Sequence, residues 1–294
     1  VKLTIAYITS RREPHIEWFF DSLRNQTNDK IDGIPIIIVD TFQGELRNLN
    51  SEQVKHVKPK PTIWQGEHRI TKQDWWAKSN ALNTAICLCQ TEFIACVDDR
   101  CVLGDNWINS ARRGMETGKA VCGAYEKRVG LEVAGGVITN PGQVSGVDPR
   151  LRKPPYAMIF GNDWFGCSNV VPLEWCLKVN GYPEDYCDGM RYEDTTFGWL
   201  LTNNGLPLAY DRKMMVIQDR TQGQIGPDMR GEDFGVSPND KSHALLKVFD
   251  RAKTSLNSFD IRALRNSVQA GNPFPPPTAS QVDWYSKLPI KDFS

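Results

Sequence analysis

The stretch "TEFIACVDDRCVLGDNW", residues 91–107, decides how the rest of the chain is read. Phe93 to Val97 is a short apolar run, the pattern of a buried strand. Two acids, Asp98 and Asp99, follow at once, and then Arg100. A buried strand that ends on carboxylates points to a polar crevice at its carboxyl end. Such a pair suits sugar hydroxyls or a hard cation bridging phosphates. The structural alternative is a helix cap or a solvated turn.

The segments on either side place this strand in a parallel sheet. Lys2 to Ile8 reads as a first strand that breaks at "TSRREP". "HIEWFFDSLRNQ" has helical spacing through Ile16, Phe19, Phe20 and Leu23. "IPIIIVD" is a continuous β-branched run ending on Asp40, the mark of a buried parallel strand. "DWWAKSNALNTAICLCQ" reads as a helix with Asp74 as its cap, "NWINSARRGMETG" as a helix closing on Gly118, and "AVCGAYE" as a strand. This alternation predicts an α/β fold, a mostly parallel sheet flanked by helices. Ligands bind such sheets at the carboxyl ends of the strands. Tyr7 to Arg11, Asp40 to Thr41 and Asp98 to Arg100 all fall there.

Beyond residue 130, "GGVITNPGQVSGVDPRLRKPP" reads as a long loop. A Gly-Tyr-Pro turn then leads to a second acidic pair, Glu193-Asp194, at the start of a helix. A carboxylate there, facing the same crevice, is placed to act as general base on a hydroxyl; the structural alternative is acid favoured by the helix dipole. Lys78, in "KSNALN", reaches a diphosphate or else lies along the surface. Asn83 reads as a packing amide. "SHALLKVFDRAKTSL" is amphipathic with Ser242 as cap, and the Pro-rich tail after Asn272 reads as extended over the surface. Trp75, Trp76, Trp164 and Trp199 stack on a ligand or, more commonly for such residues, pack in the core.

Composition bounds the function. The chain has 294 residues, with 35 Lys and Arg against 35 Asp and Glu, so no net field favours nucleic acid or acidic membranes. No apolar run approaches the ~18 residues of a membrane span, and "VKLTIAYITSRREP" lacks the pattern of a signal peptide. A cytoplasmic protein is expected. The eight cysteines match no zinc spacing and read as buried free thiols.

Taken in order, "LTIAYITSRRE", "IIIVD", "KSNALN", "FIACVDD" and "NGYPEDYCDGMRYEDTTFGWLL" resemble a family 2 glycosyltransferase of the GT-A fold, over residues 2 to 217. The resemblance implies a GT-A domain over 1–220, with a helical and Pro-rich extension, 221–294, packed on it. It implies inverting transfer from a nucleotide-sugar donor, a UDP-sugar, to an acceptor hydroxyl on a glycan, a protein or a modified nucleic-acid base. Asp40 would bind the nucleobase, with Thr9, Ser10 and Arg11 lining its pocket. Asp98 would meet the ribose or donor sugar, and Asp99 would sit beside the diphosphate near Lys78. Asp194 would be the base, supported by Glu193. The family's third acidic position, which helps to hold a divalent cation, is here Arg100. Arginine cannot ligate a metal but binds phosphate bidentately. Dependence on Mn²⁺ or Mg²⁺ is therefore open, with Asp99 the one candidate ligand. Arg100 either meets the diphosphate or turns to solvent beside Asp105. Two rival readings remain: a non-catalytic nucleotide-sugar binder, which Arg100 favours, and a nucleotidyltransferase, which the absence of a Gly-rich loop in "TSRREP" disfavours.

Overall fold

In the computed structural model, which describes residues 2–26, 33–71, 74–188, 192–221 and 251–286, the β-branched run forms strand β2 (Ile36–Asp40), buried at every position. It pairs in parallel with β1 (Leu3–Thr9) on one side and β3 (Val54–Val57) on the other. Strand β4 (Phe93–Asp98) pairs in parallel with β1, setting Ile8 opposite Asp98. The expected parallel core is thus present, and Thr9, Asp40 and Asp98 end neighbouring strands at one edge.

The other half of the sheet is mixed. After β5 (Cys101–Leu103), β6 (Ala120–Val129) runs parallel to β12 (Leu208–Asp219). Strand β11 (Ser168–Pro172) lies antiparallel between β4 and β6. Residues 130–157, read as a loop, are largely paired instead. Strands β7 (Glu132–Ala134) and β8 (Val137–Asn140) form a hairpin. Its turn, Gly135-Gly136, has positive φ at both residues, as tight hairpins require. Strand β9 (Gln143–Val147) pairs with β6, and β10 (Tyr156–Ile159) with β12. Gly135 and Gly136 are turn residues and Gly146 lies within β9, so the glycines do not mark an unstructured segment.

Helices cover both faces. Helix α1 (Ile16–Gln26) and helix α3 (Trp107–Glu116) bury Phe19, Leu23, Trp107 and Ile108 against one face. On the other, α2 (Lys78–Leu88) is buried from Ser79 to Leu88, with α4 (Leu173–Lys178), α5 (Glu184–Cys187) and α6 (Glu193–Asn203) near it. Helix α2 starts four residues after Asp74, which accepts from Gly66 N at 2.9 Å and does not cap it. Helix α7 (Ile261–Gln269) lies along α2: Arg265 donates to Cys89 O and Gln269 to Cys87 O. The tail, expected to be extended, forms helix α8 (Ala279–Ser286). The cap at Ser242 lies outside the described residues. All eight cysteines are buried free thiols; burial pushes the Cys87 and Cys96 thiols up to about 12. Among the described residues no helix is long and apolar enough to cross a membrane.

Strands β6 and β12 approach closely at Gly123. A Cβ on Gly123 would lie 1.8 Å from Met214 O, where the pairing shifts register between Asp211 and Val216. Gly123→Ala is expected to destabilise the fold by about 3 kcal/mol, the upper range for overpacking. A urea unfolding midpoint equal to that of the unsubstituted protein would refute this.

Candidate active site

The N-terminus of α2 carries the cation of the crevice. Ser79 N and Asn80 N donate to the two oxygens of Asp188 at 2.7 and 2.9 Å. This carboxylate satisfies the helix start in the role usually filled by an N-cap side chain. Asn83, one turn on, donates to Tyr182 O and Glu184 and accepts from Tyr182 N, as a packing amide. Glu184 is paired in turn with Lys60 at 2.7 Å. The helix is therefore clamped to the α5 region, and Lys78 projects from its first residue.

Lys78 Nζ lies 3.1 Å from Asp98 Oδ1 and 3.4 Å from Glu193 Oε1. Burial alone would lower its pKa. Asp98, then Glu193 and Asp194, outweigh burial and raise it well above the usual lysine value. Lys78 thus keeps its charge throughout the range in which enzymes work. Burial raises the Glu193 carboxyl; Lys78 opposes that rise and Asp194 adds to it. Asp194 Oδ2 accepts from Gly166 N at 3.1 Å and Oδ1 from Thr195 N at 2.7 Å. The Gly166 loop comes close because it has no side chain: a Cβ there would sit 3.0 Å from Asp194 Cβ and 3.7 Å from Lys78 Nζ. Asp98, Lys78, Glu193 and Asp194 therefore meet, although the sequence spreads them over more than a hundred residues. Their side chains keep some exposure, 24% for Asp98 and 18% for Lys78.

Asp99 and Arg100 are placed differently. Thr9 Oγ1 donates to Asp99 Oδ2 at 2.7 Å and Arg11 Nε to Oδ1 at 3.0 Å. Burial pushes the Asp99 carboxyl up, against Arg11 and Thr9. Arg100 is 4% exposed and has φ of +53°. Its guanidinium pairs with Asp219 and donates to Glu13 O at 2.9 Å. It faces neither solvent nor Asp105. The left-handed backbone turns Arg100 toward the end of β12, where Asp219 takes the charge that the sequence reading offered to a diphosphate. Ser10 is buried, its hydroxyl unpartnered among the described residues.

Asp40 is fully buried. Oδ1 accepts from Phe42 N at 2.9 Å and Arg47 Nη2 at 3.0 Å; Oδ2 accepts from Arg47 Nε at 2.6 Å and His56 Nε2 at 2.9 Å. A carboxylate offers about four acceptor sites, and all are taken. A nucleobase donor would have to displace Arg47 or His56, so Asp40 as folded organises the loop after β2. Arg47 also donates to the carbonyls of Arg11 and Arg12, tying that loop to the end of β1. A cleft of about 720 Å³ opens beside it, lined by Arg12, Thr41, Phe42, Lys58 and Gln65. Lys127, on β6, holds its ammonium 4.9 Å from the Tyr125 ring centroid, without a carboxylate partner among the described residues. Burial and then Arg220 lower its pKa, while Asp98 opposes. Trp75 and Trp164 are core residues; Trp76 and Trp199 are half-buried. Sequence reasoning missed Arg47, His56, Gly166 and Lys127, and it offered Asp188 only as a substitute base, whereas its oxygens accept from the start of α2. Only the spacing of Arg47 after the strand-ending Asp40 carried a local hint.

A divalent cation does not fit this donor set. Asp99 is paired with the Arg11 guanidinium and accepts from Thr9, the third acidic place is an arginine, and Lys78 stands between Asp98 and Glu193. No group of three His, Cys, Asp or Glu residues among those described is arranged to hold a metal ion.

The order β10-β12-β6-β11-β4-β1-β2-β3, with an antiparallel strand set into a parallel core, is a mixed α/β architecture with helices on both faces. Solved structures of TarS from S. aureus share it. TarS 1-349 in complex with UDP-GlcNAc matches with a TM-score of 0.53 and 13% identity, over 85% of this chain and 72% of that one. The complex with UDP gives 0.50 and 12%, over 74% of this chain. The longer TarS structure gives 0.51 and 12%, over 85% of this chain. The chain spans 60% of the length of the UDP complex and 43% of the longer TarS. No protein-family profile matches the sequence, and no curated protein does.

The Asp40 network yields a stability test. Asp40→Ala leaves Arg47 and buried His56 without their carboxylate and is expected to cost about 3 kcal/mol, as for a broken buried pair. Asp40→Asn, which keeps the shape, should cost less. Equal melting temperatures for both variants and the unsubstituted protein would remove Asp40 from this supporting role.

Proposed function

We propose that the chain is an inverting family 2 glycosyltransferase that takes its sugar from a UDP-sugar. The observation that carries this reading is the meeting of Lys78, Asp98, Glu193 and Asp194 at the carboxyl edge of the sheet. The same fold in TarS complexes with UDP and UDP-GlcNAc supports it.

In this reading the donor lies across the ends of β1, β2 and β4. Thr9, Ser10 and Arg11 line the nucleotide side, with Asp40 fixing Arg47 and the neighbouring loop. Asp98 meets the ribose or donor sugar. Asp99 holds Arg11 in place, and Arg100, locked to Asp219, belongs to the floor. The acceptor hydroxyl attacks the anomeric carbon from the face opposite the diphosphate. Asp194 takes its proton as the new C–O bond forms. The old C–O bond breaks, its electron pair leaving with UDP, through an oxocarbenium-like transition state. Lys78 offsets the charge that develops on the leaving oxygen. The acceptor is a hydroxyl of a glycan, a protein or a modified base, and the Pro- and Gly-rich segment 130–157 would form its side with the described part of the C-terminal extension, 251–286.

Asp194→Asn is expected to lower transfer by ~10² to 10⁴ while UDP affinity stays within about twofold. Transfer near the unsubstituted rate would move the base to Glu193. The alternative, a binder without turnover, draws on the locked Arg100. Release of UDP from radiolabelled UDP-GlcNAc, with or without acceptor, separates the two.

A further inference from the structure

The family that this sequence resembles uses a divalent cation to offset the charge of the donor diphosphate, yet the crevice is not built to hold one. Mn²⁺ and Mg²⁺ need several oxygens at about 2.0–2.2 Å in near-octahedral array. Asp98 turns both oxygens to Lys78, at 3.1 and 3.5 Å, and Glu193 Oε1 lies 3.4 Å from the same ammonium. A divalent ion among these carboxylates would sit within about 4 Å of a fixed positive charge, where repulsion is strong. Each oxygen of Asp99 already accepts a hydrogen bond, one from Thr9 and one from Arg11, and the Arg11 guanidinium there repels a cation. Arg100 fills the third acidic place and is locked to Asp219.

The cations that remain near the crevice are side chains. Lys78 is anchored by the Asp188 clamp on the first turn of α2. Lys127 stands opposite Gln218 in the β6–β12 register, and Gln218 donates to Asp99 O at 3.0 Å, which sets Lys127 on the strand beside the end of β4. Lys127 has no carboxylate partner among the described residues. An anion entering the crevice would therefore meet ammonium groups.

We propose that the Lys78 ammonium takes the place of the divalent cation, with Lys127 as a second positive charge, so that a nucleoside diphosphate binds without metal. The part of this proposal that concerns nucleotide rests on the transferase reading above; the exclusion of metal does not.

The test uses the whole chain. Mn²⁺ is titrated by electron paramagnetic resonance into the protein alone, and UDP is titrated by calorimetry in EDTA and in Mn²⁺. The unsubstituted protein should show no Mn²⁺ site below millimolar concentration, and UDP affinity should agree within about twofold between the two buffers. Lys78→Ala frees Asp98 and Glu193. It should gain Mn²⁺ affinity at least tenfold and bind UDP at least tenfold more weakly in EDTA. Lys127→Ala should weaken UDP in EDTA by a smaller factor. A stoichiometric micromolar Mn²⁺ site in the unsubstituted protein overturns the proposal, as does a tenfold gain in UDP affinity on adding Mn²⁺. These measurements decide it even if Lys78→Ala fails to fold. Absence of UDP binding in both buffers, with no Mn²⁺ site, would count against the transferase reading and the nucleotide part while leaving the metal exclusion standing.

Discussion

One ammonium holds the crevice together. Asp98 ends β4, while Glu193 and Asp194 begin α6, and like charges brought together in a half-buried crevice repel. Lys78 between Asp98 and Glu193 turns that repulsion into attraction. Its position is fixed from behind: Asp188 accepts from the first amides of α2, and Asn83 and Glu184 hold the next turn. The cation is therefore placed by backbone and packing, not by the flexible reach of a long side chain. The Gly166 loop closes over the group because it carries no Cβ.

A second layer of charge lies under the first and is closed to solvent. Asp40 with Arg47 and His56, Asp99 with Arg11 and Thr9, and Arg100 with Asp219 are each paired within the protein, and Asp40 has all its acceptor sites filled. Buried pairs of this kind add little net stability over apolar packing, but losing one partner is costly. What they do here is set geometry: Arg47 bridges the loops after β1 and β2, and Arg100 and Gln218 tie the end of β4 to β12. The open layer and the closed layer use the same residue types, and only partnering separates them.

That difference also marks how far the sequence could be read. The parallel core was legible because Ile36–Asp40 and Phe93–Asp98 are apolar runs ending in acids, and because helical spacing separates them. The meeting of Asp98 with Glu193 and Asp194 followed from strand ends and a helix start. The direction of Arg100 was not legible, since it depends on a left-handed backbone and a partner 119 residues away. The same holds for Asp40, whose four acceptor sites are filled by Phe42, Arg47 and His56. Two glycine signals escaped the sequence: Gly135 and Gly136 make a hairpin turn inside a segment read as a loop, and Gly166 permits a close approach. Neither leaves a periodic signal.

Helix α2 has no face for water. It is buried from Ser79 to Leu88 between the sheet and α7, and its carboxyl end is stitched to α7 by Arg265 and Gln269. Eleven residues of helix span about 16 Å, so this stitching lies some three turns behind Lys78. A rod pinned at both ends transmits displacement with little loss. The C-terminal segment thus acts as a tailstock: the contacts of α7 with the carboxyl end of α2 hold the axis along which the Lys78 charge is aimed.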